Sequence, residues 1–129
     1  MTESVITIDV KASLHKAEAI FRKKKIRHLP VLSGENLVGI VSLTDLQRLS
    51  FVNSYGEYEE DVDSAMLNML RLSQVMVSHP VSIQVSQTIR EAAELLSQRE
   101  FHALPVLDGQ KLVGIVTTTD LIRYMLSDN

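Results

Sequence analysis

Two hydrophobic periods alternate along this chain, and the alternation occurs twice. A short apolar run, Val5–Ile8, reads as a strand. Leu14, Ala17 and Phe21 then recur at helical spacing behind an N-cap at Ser13. His28–Leu32 reads as a second strand, Ser33-Gly34 as turn chemistry, and Leu37–Ser42 as the strand running back. A last helix is predicted from near Thr44. The series returns as a strand over Val81–Ile83 and a helix with the stripe Ile89, Ala92, Ala93 and Leu96. Thr88 with Glu91 fits a capping box for that helix. A strand over Ala103–Leu107, a turn at Asp108-Gly109, a strand over Leu112–Thr117 and a helix from near Thr119 complete it. The predicted unit is β-α-β-β-α.

The two series superimpose at a constant offset of 75 residues, without a gap, over 6–50 and 81–125. Leu29-Pro30-Val31-Leu32-Ser33-Gly34 matches Leu104-Pro105-Val106-Leu107-Asp108-Gly109. Four of the five glycines fall at equivalent places, Gly34/Gly109 and Gly39/Gly114, and so do Pro30 and Pro105. Glycine and proline recur where the backbone demands them, which marks the repeat as structural. A single unit would leave a sheet face open, so the pair is expected to pack about a pseudo-twofold axis into one α+β module. The division this predicts is 1–50 for the first repeat, 51–75 for a linker and 76–129 for the second.

The linker belongs to neither copy. Val62, Ala65, Met66, Met69 and Leu70 sit at i, i+3, i+4, i+7 and i+8, an amphipathic helix expected to pack on the module or on a second subunit. The acidic group Glu57, Glu59, Glu60, Asp61 and Asp63 lacks a calcium-loop spacing and reads as a solvated loop and a negative helix start. A divalent-cation sensor built on it ranks last among the readings. Met1 aligns with Met76, so the lead-in Leu72–Met76 has no counterpart before the first repeat. That leaves an edge which another chain would cover.

Composition narrows the classes. The chain has 129 residues, 45% of them apolar, enough for one compact domain or two half-domains sharing a core. It has no cysteine, which excludes disulfides, thiolate zinc sites and a cysteine nucleophile. No apolar run approaches the ~20 residues of a membrane helix, and no signal peptide opens the chain, so a cytoplasmic place is expected. The net charge is −3 and aromatic residues make up 5%, which argues against nucleic acid as partner. Residues 1–50 are nevertheless net basic, whereas residues 51–75 are acidic. The run Arg22-Lys23-Lys24-Lys25 closes the first helix, where it complements the helix dipole and biases the local potential toward phosphates.

The recurring polar constellation is Gly39-Ile40-Val41-Ser42-Leu43-Thr44-Asp45 and Gly114-Ile115-Val116-Thr117-Thr118-Thr119-Asp120. Hydroxyls and one carboxylate gather where a strand gives way to a helix. Free N–H groups and the positive helix end favour an anion there, and a carboxylate can accept from a vicinal diol. The competing reading is that Thr44 or Asp45 only caps the helix. Finding Ser/Thr-x-x-Asp twice at matched positions favours a binding role.

With Arg27-His28-Leu29-Pro30-Val31 and His102-Ala103-Leu104-Pro105-Val106, these motifs resemble the CBS domain family, and the pair resembles a Bateman module. The resemblance covers essentially the whole chain outside the linker. It implies clefts between the copies for adenosyl compounds: AMP, ADP, ATP or S-adenosylmethionine. By that resemblance Asp45 and Asp120 hold ribose hydroxyls. Ser42, Thr44, Thr117 and Thr119 contact phosphate or ribose, and Arg27, His28 and His102 face phosphate. Backbone near Ile6 and Val81 lines the adenine slot. Ala103 stands where the first copy has His28, so unequal affinities are expected.

Enzyme readings are weak: the four histidines have no metal-ligand spacing, and no Gly-x-Ser-x-Gly or phosphate-loop lysine occurs. The expected function is a non-catalytic sensor signalling to an effector protein, as a homodimer assembled through its helices. Replacing Asp45 and Asp120 by Ala is expected to abolish binding and leave the fold intact. The rival is a dimerisation or interaction module indifferent to nucleotide.

Overall fold

The computed structural model describes residues 5–51, 68–98 and 102–127. The linker loop and most of the amphipathic helix expected over 62–70 lie outside them, as does the acidic group. The chain divides into two compact units, Ile6–His79 and Pro80–Asn129, and Val5 goes with the second.

The first unit is β1 (Ile8–Asp9), α1 (Leu14–Lys24), β2 (His28–Ser33), β3 (Asn36–Ser42), α2 (Leu43–Phe51), α3 (Leu72–Val75) and β4 (Val77–Ser78). Its sheet order is β1-β2-β3-β4. The second unit is β5 (Ile83–Gln84), α4 (Ile89–Gln98), β6 (Ala103–Asp108), β7 (Lys111–Thr117) and α5 (Thr118–Ser127), with sheet order β5-β6-β7. The α+β class and the β-α-β-β-α repeat hold in both. The unit boundary, however, falls at His79/Pro80. The lead-in Leu72–Ser78 thus packs with the first repeat, where β4 pairs antiparallel with β3 through Gly39↔Ser78 and Ile40↔Val77.

Local chemistry explains the elements. Ser13 Oγ accepts the Lys16 N–H at 3.1 Å to start α1. Lys25 in the left-handed region (φ 54°) ends it, returning its N–H to Phe21. Thr88 and Glu91 exchange reciprocal bonds at the start of α4: Glu91 N–H to Thr88 Oγ1 at 3.1 Å, and Thr88 N–H to Glu91 Oε1 at 3.3 Å. The hairpins β2-β3 and β6-β7 turn on two residues with Gly34 (φ 63°) or Gly109 (φ 65°) first, the residue order of a type II′ turn. Both carry a bulge at the same place, leaving Val38 and Val113 without an opposite residue.

The opening strands differ from expectation. The runs Val5–Ile8 and Val81–Ile83 give strands only at Ile8–Asp9 and Ile83–Gln84. Parallel pairing with β2 and β6 is confined to Ile8↔Val31, Asp9↔Leu32, Ile83↔Val106 and Gln84↔Leu107, so the residues before them find no ladder partner.

The cores match residue for residue, except that Leu121 and Ile89, the counterparts of Leu46 and Leu14, are not fully buried. Leu14, Ala17, Phe21, Leu29, Val31, Val41 and Leu46 are buried in the first, together with Leu72 of α3. Ala92, Leu96, Leu104, Val106 and Val116 occupy the equivalent places in the second. Ile89, expected in the buried stripe as the counterpart of Leu14, is instead 46% exposed, whereas Leu14 is 0% exposed.

Candidate functional site

Each repeat builds the same junction where its last strand becomes its last helix. In the first, Ser42 Oγ accepts the Asp45 N–H at 3.1 Å, and Asp45 Oδ2 accepts the Ser42 N–H at 3.0 Å. In the second, Thr117 Oγ1 accepts the Asp120 N–H at 3.1 Å, and Asp120 Oδ2 accepts the Thr117 N–H at 2.9 Å. These are reciprocal capping boxes at α2 and α5. The capping role and the binding role are therefore not exclusive, because each box uses one carboxylate oxygen and leaves Oδ1.

The start of the preceding strand is latched onto the same junction. The Leu43 N–H donates to the Arg27 carbonyl at 2.9 Å, and the Thr118 N–H to the His102 carbonyl at 3.0 Å. Arg27 and His102 are equivalent positions, so each box has one basic-type residue beside it, and both side chains are exposed. His28 pairs across the sheet with Ser42, and Ala103 with Thr117. Thr44 and Thr119 are exposed on the first turns of α2 and α5. The parallel register Ile8↔Val31 brings the chain in from the end where β2 begins, so Ile6 lies at the junction end of its sheet. Val81 holds the same place before β5 and is exposed, while Ile6 packs partly into the first core.

The two carboxylates face different surroundings. Asp45 Oδ1 lies 3.8 Å from Arg48 Nη1, an ion pair with a largely exposed partner that contributes little. Asp120 makes no such pair among the described residues, although Arg123 stands at the position equivalent to Arg48. Asp120 lines instead a cleft of about 210 Å³ between α4 and α5, floored by Ile83, Val106 and Val116. None of the other predicted ligand residues reaches that cleft. It escaped the sequence reading because the apolar pattern marks Ile89 as core; only its unequal burial relative to Leu14 reveals the opening.

No group of three or more His, Asp or Glu residues suited to a metal occurs among the described residues. No helix among them is long and apolar enough to cross a membrane.

The sequence profile of the CBS domain matches residues 1–51 and 72–127. A CBS domain-containing protein of Dictyostelium discoideum is 31% identical over 128 residues, covering 98% of this chain and 88% of its own length. The uncharacterised protein MJ1404 of Methanocaldococcus jannaschii is 32% identical over 130 residues, and this chain spans only 30% of its length. A solved structure of CBSX2 in complex with AMP matches with a TM-score of 0.79 at 28% identity, covering 99% of this chain and 93% of CBSX2. With a family match on both repeats and the duplicated β-α-β-β-α unit, the chain belongs to the CBS domain family as a tandem pair.

Proposed function

We propose that this chain is a non-catalytic regulatory module that binds an adenosyl ligand through its duplicated capping boxes. The observation that carries the reading is the pair of boxes, each presenting a carboxylate oxygen outside the capping bonds, an exposed threonine and a helix N-terminus in one place. Asp45 and Asp120 accept the ribose hydroxyls. Ser42, Thr44, Thr117 and Thr119 with Arg27, His28 and His102 meet the phosphate or its replacement. Ile6 and Val81 flank the base. The AMP complex of CBSX2, a relative of this chain, supports an adenine nucleotide as the first ligand to test.

The ligand is AMP, ADP, ATP or S-adenosylmethionine. The basic first repeat favours a phosphate-bearing compound over the sulfonium. Occupancy shifts a two-state arrangement that an effector protein reads. Assembly as a homodimer uses the outer face of α5, where Ile122, Met125 and Leu126 are exposed.

That exposed face also favours a second reading, an interaction module whose oligomerisation ignores nucleotide. Thermal unfolding with AMP, ADP, ATP, S-adenosylmethionine and NAD, each at millimolar concentration, separates the two. A ligand at 100 times its Kd adds about 2.7 kcal/mol. A selective rise with one adenosyl compound supports the sensor. No rise with any of them overturns it in favour of the interaction module.

A further inference from the structure

The two boxes share their hydrogen bonds but not the charges around them. The Arg27 carbonyl accepts the Leu43 N–H, so the end of α1 that leads into Arg27 lies next to the first box. Lys25 closes that helix two residues earlier, and Arg22, Lys23, Lys24, Lys25 and Arg27 are all exposed. Arg22 is offset by Glu18 at 3.4 Å. Arg48 adds a further positive charge: its Nη1 lies 3.8 Å from Asp45 Oδ1, the oxygen outside the capping bonds. At the equivalent places the second repeat has Ser97, Gln98, Arg99, Glu100, His102 and Arg123. Arg123 makes no ion pair with Asp120 among the described residues, and the cleft that Asp120 lines carries no Lys, Arg or His. Across the sheet Ser42 has His28 as its partner, where Thr117 has only Ala103.

We infer that the two boxes divide adenosyl ligands by the charge of the 5′ group. The first takes a compound with a phosphate there, such as AMP. The second takes one without negative charge there, such as S-adenosylmethionine with its sulfonium. This division presupposes the adenosyl reading of the boxes. Base and ribose are common to both compounds, and both boxes present the same carboxylate, hydroxyl and helix end. Discrimination therefore falls to the surrounding charges. A phosphate brought to either box meets a carboxylate of like sign. In the first box Arg48 offsets Asp45, while Arg27 and the exposed lysines add a positive field. In the second no cation is paired with Asp120 among the described residues, so its carboxylate opposes a phosphate and favours a sulfonium. Selectivity of this kind owes as much to the repulsion as to the attraction. Arg48 is thus a specificity-determining residue for the first box, although its exposed ion pair adds little to stability.

AMP and S-adenosylmethionine are titrated separately into the isotope-labelled full chain by NMR. The amide shifts of Ser42 and Asp45 report the first box, and those of Thr117 and Asp120 the second. The Kd for AMP divided by the Kd for S-adenosylmethionine is expected to be at least tenfold lower at the first box than at the second. A smaller difference, the reverse order, or one box unmoved by both compounds overturns the division while leaving the adenosyl reading in place. Both boxes unmoved by both compounds at millimolar concentration overturns that reading, and the division with it. Arg48→Gln changes a side chain that is 76% exposed, so the fold is kept. It is expected to raise the ratio at the first box at least threefold and to leave the second unchanged. An unchanged ratio at the first box overturns the role assigned to Arg48.

Discussion

Met76 lies against Gly39 so closely that no side chain can stand between them. A Cβ built on Gly39 would meet Met76 Sδ, with Cγ at 2.9 Å and Cε at 3.0 Å. This contact anchors the lead-in of the second repeat on β3 of the first unit. Gly39 is buried there, and β4 pairs alongside through Gly39↔Ser78. Gly39→Ala is expected to destabilise the chain by about 1 kcal/mol, since thioether and methylene must swing away. Urea unfolding checks it. Adding Met76→Ala should recover part of the loss if the clash is its cause.

Leu72 is a core residue of the first repeat although it lies beyond that repeat in sequence. Leu72→Ala should cost about 2–5 kcal/mol, the usual range for a buried leucine. The exposed Met69, three residues earlier, should change stability by less than about 0.5 kcal/mol when replaced by Ala. Chemical denaturation of both variants tests whether the segment is part of the fold or only a tether.

The carboxylates of Asp45 and Asp120 close capping boxes, so alanine at either position removes a cap as well as a ligand group. Each alanine variant is expected to lose about 1 kcal/mol of stability. The double alanine variant therefore does not isolate binding. Asn keeps an oxygen that can accept the Ser42 or Thr117 N–H while removing the charge, and should cost less. Calorimetric titration with AMP of the Asp45→Asn/Asp120→Asn chain is expected to show at least tenfold weaker binding. Unchanged affinity would remove both carboxylates from the site.

Glu91 titrates below the ordinary carboxylate range, first because the Gln87 amide donates to it, then because the Thr88 N–H and hydroxyl do. A depressed folded value means that the box adds stability above the unfolded carboxylate range. That contribution is lost as pH falls through the folded value. The stability difference between the chain and its Glu91→Gln variant should therefore be present at neutral pH and close in acid. Urea midpoints across that range provide the measurement. A difference that grows on acidification would reverse the assignment.

Much of this protein was legible from residue order alone. The offset of 75 predicted two β-α-β-β-α units. Ser13, Thr88 and the glycines of the hairpins announced helix starts and turns because they act within a few residues of themselves. The Ser42–Asp45 and Thr117–Asp120 boxes were visible for the same reason. Their use as caps was settled by the hydrogen bonds, which the spacing alone left open. Tertiary structure decided what depends on distant segments meeting. It put Leu72 and Met76 onto the first repeat, shortened the opening strands to two paired residues each, and uncovered Ile89. An apolar period says that a residue can be buried. Whether it is depends on which other part of the chain arrives to cover it, and in the two repeats that answer differs.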